Sequence, residues 1–382
     1  MKAGRVVHAA RPAFSFCDFP PTDQPASLAM NFTEISKVPL RSLWYKFLAA
    51  HDRQVPGSFS RMNAMRSRWM LSLGCLFGLL VDASPLHGAE APVIRVMSYN
   101  LWHGGDAGKQ PLEQTAKVIR EAQADVVGLQ ETGGVVPGGQ PRPDRGAELA
   151  KILGWHYFDQ GGRTGILSRY PIGKTSPGKW GARIELPGGQ PVYLFNAHFM
   201  YIPYQPYQLL DIPYGEYPFI KTEEEAIRFA KQARGAEVER LLKDLQATVE
   251  PGATVFVTGD FNEPSHLDWT TAAQRAGKCP VAVAWPTTKR VIDAGFVDTY
   301  REAHPDPVAS PGLTWTPITK ITDPKDRHDR IDFVLMNAGG GKVVSSQVVG
   351  ESKEFADIVV APYPSDHRSV VSAVELPVKP TK

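Results

Sequence analysis

Short apolar segments rich in valine recur between residues 93 and 376, and stretches with helical spacing separate them. Such segments are typical of buried or half-buried strands. Eight have this character: VIRVMSY (93–99), DVVGLQ (125–130), TGILS (164–168), VYLFNAH (192–198), TVFVTGD (254–260), RIDFVLM (330–336), KVVSSQVV (342–349) and RSVVSAVEL (368–376). Because so many strands need two sheets or one very large sheet, we predict an α+β layered sandwich with helices outside.

Two segments have the pattern of those outer helices. Residues 113–124 repeat apolar residues at helical spacing, and residues 222–246 form the longest helix candidate. Thr222 and Glu225 make a capping box at the start of the longer one. Residues 201–218, just before it, hold five tyrosines and four prolines, which predicts irregular structure. A long loop of this kind is often functional.

Polar side chains interrupt or end six of the predicted strands. Aspartate and asparagine disfavour strands, so each position alone indicates only a turn. Six such positions are harder to explain as turns, and together they indicate a shared site. They are Asn100, Glu131, His198, Asp260 with Asn262, Asp332, and Asp366 with His367. Because residues two apart on a strand face the same way, we expect Asp260 and Asn262 to address one ligand from one side.

Hydrolysis of a phosphate ester needs groups of these types. The reaction requires neutralised charge on the phosphate oxygens, an aligned water and assistance to the leaving oxygen. A hard carboxylate such as Glu131 suits Mg²⁺, which keeps several waters and takes few protein ligands. His198 or His367 would supply an acid or base whose pKa a neighbouring carboxylate can tune. Zinc is disfavoured because no cluster of His or Cys has zinc-ligand spacing.

The charge balance argues against a general nucleic-acid binder. The 382-residue chain has a formal net charge of +2, but residues 1–91 hold ten basic and six acidic residues. That leaves 32 basic and 34 acidic residues after them. Proteins that follow a phosphate backbone usually carry a basic excess, because neutralising phosphates drives their affinity. A long nucleic acid is therefore not the favoured substrate.

Residues 65–91 have the anatomy of a secretory signal peptide, with a basic start, an apolar run over 69–81 and small residues at the end. The run is shorter than the ~20 residues that a membrane-spanning helix needs. A buried helix is the alternative. We expect export to the periplasm or the extracellular space, with residues 1–64 a disordered or misassigned extension and residues 92–382 a single domain.

Six short motifs follow one another along the chain: SYN, LQE, NAH, GDFN, RIDF and SDH. In this order they resemble the endonuclease/exonuclease/phosphatase superfamily, which includes deoxyribonucleases, abasic-site endonucleases, sphingomyelinases and inositol polyphosphate phosphatases. The resemblance implies a four-layer α/β/β/α sandwich of two packed mixed sheets with outer helices. It also implies a site at one edge of the paired sheets and Mg²⁺ as cofactor, with Mn²⁺ as a substitute.

The resemblance implies a metal site as well. Glu131 would be the principal ligand, Asn100 would help to hold the metal or the phosphate, and Asp366 would lie close to the metal. Some relatives carry an acidic residue where this chain has Trp102. Metal binding would then rest more heavily on Glu131. Trp102 and His103 are candidates for substrate contact, against the alternative of packing.

By the same resemblance, five residues would carry out the chemistry. Asp260 would orient or deprotonate the attacking water, and Asn262 would bind a phosphate oxygen. His367 would hydrogen-bond the phosphate, with its tautomer fixed by Asp332. His198 would assist the leaving group, as in the deoxyribonuclease and sphingomyelinase types.

Three further residues are weaker candidates. Arg163 would meet a phosphate, since arginine suits bidentate recognition. His328 would either face the cleft or lie on an exposed loop, which is the favoured interpretation. Trp315 would either cap the core or stack on substrate.

We therefore expect an exported, Mg²⁺-dependent hydrolase of phosphodiesters or phosphomonoesters that acts as a monomer. Residues 201–218 suit an apolar or sugar-like partner, or a lipid surface, better than a polyanion. One alternative is an exported endonuclease or deoxyribonuclease. Another, of a different class, is a catalytically silent binding module on the same fold.

Overall fold

Two mixed β-sheets form the centre of the computed structural model, which describes residues 91–136, 138 and 140–378. The predicted extension, residues 1–64, lies outside these residues, as does the predicted signal segment 65–91 except for its last residue. No helix among the described residues combines the length and the apolar character needed to cross a membrane.

Thirteen strands and seven α-helices occur in this part of the chain. In order they are β1 (Val93–Asn100), α1 (Leu112–Glu121), β2 (Val126–Gln130), α2 (Arg145–Leu153), β3 (His156–Gly161), β4 (Thr164–Ser168), β5 (Ile172–Thr175), β6 (Gly181–Ile184), β7 (Val192–His198), α3 (Gln205–Leu209), α4 (Glu223–Thr248), β8 (Thr254–Asp260), α5 (Thr271–Arg275), α6 (Pro286–Asp293), β9 (Phe296–Asp298), α7 (Thr299–Ala303), β10 (Asp332–Asn337), β11 (Lys342–Gly350), β12 (Ile358–Val359) and β13 (Ser369–Glu375).

The strands divide into a seven-stranded and a six-stranded sheet. Their strand orders are β12-β11-β13-β1-β2-β4-β3 and β5-β6-β7-β8-β10-β9. The central pairs β1–β2 and β7–β8 are parallel, whereas their outer neighbours are antiparallel. Because parallel strands end at the same edge, each sheet brings two strand ends together.

Three apolar layers hold the sandwich together. Val96 and Phe256 belong to a buried cluster that the two sheets share. Leu129 lies on the opposite face of the seven-stranded sheet, in a cluster with residues of α1 and α2. Val257 lies on the opposite face of the six-stranded sheet, with residues of α4 and α6. This layering confirms the predicted α/β/β/α sandwich with helices on the outside.

The capping box predicted for the long helix is present. Thr222 precedes α4, its Oγ1 accepts from the backbone N–H of Glu225, and the Glu225 carboxylate accepts from the Thr222 N–H. The prediction of wholly irregular structure over 201–218 is wrong in one respect, because the five-residue helix α3 lies within it. Pro206 sits in its first turn, where a missing N–H breaks no helical hydrogen bond.

Candidate active site

The inner faces of the central strands change from apolar to polar toward one edge of the sandwich. On β8 the inward side chains run from Phe256 through Thr258 to Asp260, and all three are buried. His198 at the end of β7 and Asp332 at the start of β10 pair directly with Asp260 in the sheet register. The fold thus brings three of the predicted strand ends into one row.

Asp260 lies at the centre of this site and is almost fully buried. Its Oδ2 accepts from Asn100 Nδ2 at 2.9 Å, and the Nε2 atoms of His198 and His367 lie 3.6 and 3.7 Å away. Its Oδ1 accepts from the backbone N–H of Asn262 at 2.9 Å. Burial raises the pKa of Asp260, although the two histidines oppose the shift.

His367 is oriented by a buried carboxylate. Its Nδ1 lies 2.9 Å from Asp332 Oδ2, which leaves Nε2 facing Asp260. Burial opposes a charge on the imidazole, but the carboxylates of Asp332 and Asp260 outweigh it and raise the pKa of His367 to about 10. The two carboxylates thus favour the protonated imidazole, in which both ring nitrogens are donors. The ring of Trp315 lies against it, with centroids 4.9 Å apart.

Hydrogen bonds fix the loop that carries Asp366 and His367. Ser365 Oγ donates to the backbone carbonyl of Asn100 at 2.7 Å and accepts from the His367 N–H at 3.1 Å. Thr316 Oγ1 donates to the Asp366 carbonyl at 2.7 Å. The loop is thereby tied to the end of β1, and both of its predicted functional side chains belong to the same site.

Glu131 stands at the mouth of the site, with its side chain 21% exposed. Its carboxylate accepts from Asn100 Nδ2 at 3.4 Å and from the backbone N–H of His103 at 3.0 Å. Burial disfavours its charge, but His198 and His103 outweigh that effect and the pKa of Glu131 is lowered. An ionised carboxylate at the mouth is suited to bind a cation.

Asp366 adds a buried carboxyl group with an oxygen that accepts no hydrogen bond. Its Oδ1 has no hydrogen-bond partner. Burial raises the pKa of Asp366 to about 8, despite the nearby His367, and the charges of Glu131 and Asp260 raise it further. The charges of Glu131 and Asp260 thus disfavour ionisation of Asp366, and a hard divalent cation would relieve this repulsion and provide a partner for Asp366 Oδ1.

A second arrangement of acidic and imidazole groups also has ligand geometry. Single ligand atoms of Asp260, Asp332 and His367 lie within 4.8 Å of one another, so this buried cluster could hold a metal ion. However, Nδ1 of His367 already contacts Asp332, and the carboxylates of Asp332 and Asp260 favour a proton on the imidazole. A cation would have to displace that proton, so the donor set of Glu131 and Asp366 fits a metal better.

Backbone strain is concentrated at the site. Nine residues other than glycine have positive φ among the described residues, and four of them lie here. Trp102, His103, Glu131 and Asn262 have φ between 49° and 55°, the left-handed region that side chains with a Cβ rarely adopt. Strain of this kind persists where the surrounding structure enforces it, and it is often found at functional sites.

A buried polar layer joins the two sheets beneath the site. Gln130 Nε2 donates to Asn196 Oδ1 at 2.6 Å, and Thr258 Oγ1 donates to the same oxygen at 3.2 Å. Asn196 Nδ2 in turn donates to Gln160 Oε1 at 2.8 Å. Gly128 allows this close approach, since a Cβ there would lie 2.0 Å from Thr258 Oγ1. Sequence patterns did not reveal this layer.

Two expectations need correction. Asn262 does not share a strand face with Asp260, because β8 ends at Asp260 and Asn262 has φ of 49°. Its Nδ2 instead donates to the carbonyl of Phe199 at 3.0 Å. His328 is buried rather than exposed, and its Nε2 lies 2.9 Å from Thr319 Oγ1.

Two other predicted positions lie near the site. Trp102 is half-buried and its N–H donates to Asn100 Oδ1 at 3.0 Å. The side chain of Arg163 lies beside Gly133, two residues after Glu131. Neither position establishes contact with a substrate, so both assignments stay predictions.

A buried ion pair behind the site was also missed. Arg234 of α4 donates to Glu263 Oε2 at 3.0 Å, and both side chains are fully buried. The Arg234 guanidinium also donates to the carbonyls of Met200 and Pro203. The pair therefore links the loop after His198 to the loop after Asp260. A charged residue on a long helix predicts a solvent-facing position, so only a search for a distant acidic partner would have found it.

Comparison with known proteins gives matches over most of the chain. A model of the endonuclease/exonuclease/phosphatase family matches residues 97–367, a range that includes every strand end described above. The Caenorhabditis elegans "Uncharacterized protein F14F9.5" is 29% identical over 301 residues, which cover 72% of this chain and 90% of that protein.

Solved structures are also similar. An endonuclease/exonuclease/phosphatase from Beutenbergia cavernae DSM 12333 is 19% identical, with a TM-score of 0.47, and the match covers 74% of this chain and 72% of that one. An AP endonuclease from Archaeoglobus fulgidus is 18% identical with a TM-score of 0.44, over 74% of this chain and 100% of that one.

Proposed function

Because this chain belongs to the endonuclease/exonuclease/phosphatase family, whose members are hydrolases of phosphate esters, we propose that it hydrolyses phosphodiesters or phosphomonoesters with the help of Mg²⁺. One observation carries the proposal. Asn100, His198 and His367 all direct nitrogen atoms at the same buried oxygen, Asp260 Oδ2. A carboxylate that such donors surround is suited to hold and activate a water next to a phosphate.

The proposed reaction breaks the ester P–O bond by attack of water on phosphorus. Asp260 takes a proton from the water, and His198 gives a proton to the leaving oxygen. His367 donates from Nε2 to a phosphate oxygen while its Nδ1 is held by Asp332. Asn262 offers the phosphate its second amide hydrogen, since the first is donated to the carbonyl of Phe199.

Glu131, Asn100 and Asp366 would hold the metal ion. When bound, a divalent cation neutralises charge on a non-bridging phosphate oxygen. The lowered pKa of Glu131 and the unpartnered Oδ1 of Asp366 support this assignment. Oxygen donors favour Mg²⁺ or Mn²⁺ over softer metals.

We propose that the substrate is not a long nucleic acid. Residues 92–382 carry no basic excess, and the loop after His198 presents tyrosines instead of lysines or arginines. We also propose export, from the signal-like pattern of residues 65–91. The mass of the protein recovered from the periplasm or the medium would test export, because cleavage should remove this segment.

The test of the reaction is hydrolysis of bis-para-nitrophenyl phosphate by the purified chain. We expect turnover with Mg²⁺, loss of turnover with EDTA, and recovery when Mg²⁺ or Mn²⁺ is restored. Absence of hydrolysis with every metal would contradict the proposal and support a silent binding module. Tight DNA binding that salt weakens steeply, together with cleavage of DNA, would support the endonuclease alternative instead.

A further inference from the structure

Exposed apolar side chains are concentrated on two loops beside the site. Thirteen large apolar side chains are exposed among the described residues, and the five outside these loops are all valines. The other eight form what we call the apolar rim: Met200, Tyr201, Leu210, Tyr214, Tyr217, Phe219, Ile318 and Ile321. Single exposed apolar residues are ordinary, but a concentration of this size indicates an interaction surface.

The two loops flank the two histidines of the site. Met200 lies two residues after His198 on the chain. Ile318 lies three residues after Trp315, whose ring packs against that of His367. The first loop also reaches this tryptophan, because the Tyr207 hydroxyl and Trp315 Nε1 both donate to Asp326 Oδ1. A ligand on the rim would therefore reach the mouth of the site.

The rim is preformed by hydrogen bonds between its two loops. Asp326 accepts from the Tyr207 hydroxyl, from Trp315 Nε1 at 3.4 Å and from Thr319 Oγ1 at 2.6 Å. The hydroxyl of Tyr204 donates to the buried Asp329 at 2.9 Å. Because these loops are held before a ligand arrives, little ordering entropy opposes binding.

The rings of the first loop support one another as well. Tyr214 packs edge-on against Tyr207 with centroids 5.6 Å apart, and against Tyr201 with centroids 6.3 Å apart. Tyrosine presents an apolar ring and a polar hydroxyl, which suits the boundary between a hydrocarbon layer and water. The composition of this loop therefore favours contact with a membrane–water interface over contact with another protein.

The charges of the rim are balanced. Lys221 forms an ion pair with Asp211, and residues 316–326 contain two lysines and two aspartates. Glu216 adds one negative charge. A polyanion or a strongly anionic membrane requires a basic surface, and the rim does not provide one. The composition of the rim therefore favours a partner whose surface is apolar and has a low net charge.

We infer that the apolar rim docks the protein on a zwitterionic phospholipid surface and that the ester cleaved is in the headgroup of such a lipid. This choice rests on the proposed function, because the rim flanks the proposed phosphate-ester site. A phospholipid layer presents an apolar interior and a phosphate ester at a short, fixed separation. One partner would thus satisfy both features of this face.

The test compares two double variants of the full chain. Phe219→Ser with Ile321→Ser removes one exposed residue from each loop of the rim. Val344→Ser with Val359→Ser is the matched control, since it removes exposed valines from β11 and β12. Binding to phosphatidylcholine vesicles is measured by flotation at low and high salt, together with release of headgroup and hydrolysis of bis-para-nitrophenyl phosphate.

We expect the wild type and the control to bind vesicles at both salt concentrations and to release headgroup. The rim variant should bind about tenfold more weakly or worse, release correspondingly less headgroup, and hydrolyse the soluble ester at the wild-type rate. Equal binding by the rim variant would overturn the inference. So would binding that requires anionic lipid and disappears with salt, or rim-dependent binding of a single-stranded oligonucleotide instead of vesicles.

The outcome is separable from that of the proposed function. If the wild type binds vesicles through the rim but hydrolyses neither ester, the docking surface stands and the hydrolase proposal fails. If it hydrolyses the soluble ester but does not bind vesicles, the hydrolase stands and the docking surface fails.

Discussion

The space between the two sheets has an apolar half and a polar half, and the same strands contribute side chains to both. On β8, Phe256 lies in the apolar half and Asp260 lies in the polar half, although both point inward. On β7, Leu194 lies in the apolar half and His198 in the polar half. The apolar half buries side chains that need no partners. The polar half buries donors and acceptors whose charges must be balanced.

This difference separates folding from chemistry within one layer. Apolar burial contributes to stability wherever it occurs, because it removes hydrocarbon from water. Buried carboxyl groups cost free energy, and Asp366 Oδ1 is left without a partner. A protein retains such groups where they serve a reaction, often at the expense of stability. Substitutions in the two halves should therefore change different properties.

The largest effect is expected from Asp260→Asn in the polar half. Turnover should fall about 10³- to 10⁴-fold, because the variant cannot accept the proton of the attacking water. The free energy of unfolding should fall by only about 1–3 kcal/mol, because the new amide turns its NH₂ toward either Asn100 Nδ2 or the Asn262 N–H, and both of these are donors. Phosphoesterase kinetics and thermal denaturation check the two parts. Asp159→Asn on β3, where the aspartate is exposed, is the control and should be silent.

Phe256→Ala, four residues earlier on the same strand, should have the opposite profile. The phenylalanine is fully buried between the sheets, so its truncation should lower the free energy of unfolding by about 3–5 kcal/mol. The turnover of the molecules that remain folded should be unchanged. Urea denaturation followed by assay in dilute urea measures both. A catalytic defect equal to that of Asp260→Asn would break the distinction between the halves.

A substitution at the boundary between the two halves should lower both stability and turnover. Asn196→Ala removes the acceptor of Gln130 and leaves buried polar groups without partners, which costs about 1–3 kcal/mol of stability. Turnover should fall modestly, because this layer supports the strand ends that carry the site. A fall in stability with no change in turnover would show that the site does not depend on the layer beneath it.

The smallest effect concerns pH in the absence of metal. The pKa of Asp366 is about 8 against 3.8 for an ordinary aspartate, and that of His367 is about 10 against 6.5. The folded state therefore holds protons that the unfolded state has released, and stability should fall as pH rises from about 4 to about 10. Thermal denaturation in EDTA should give a lower Tm at pH 9 than at pH 6.

Two changes should reduce the fall of Tm with rising pH. Asp366→Asn removes one of the titrating groups, and Mg²⁺ favours the ionised carboxylates. A Tm that rises with pH in EDTA would contradict the assigned directions of both pKa shifts.

The sequence predicted the sandwich and the set of strand-end residues because both follow from local patterns. Valine-rich strands are recognisable one at a time, and an inward strand-end position is set by the alternation along the strand. The polar strand β3 (HYFDQG) and the two-residue β12 have no such signal. They were missed because their pairing partners stabilise them.

Local sequence patterns could not predict contacts between distant segments, for the same reason. Nothing local joins Arg234 to Glu263 or Gln130 to Asn196, because each pair forms only when separate elements pack together. The conformation of Asn262 was mispredicted because alternation does not continue past the end of a strand.

The most direct measurement of the central claim is the position of a bound cation. Crystals soaked in Mn²⁺ would reveal it by anomalous scattering. We predict one strong peak in contact with the carboxylates of Glu131 and Asp366. A site that binds no ion at millimolar Mn²⁺, or a strong peak only elsewhere on the molecule, would contradict it.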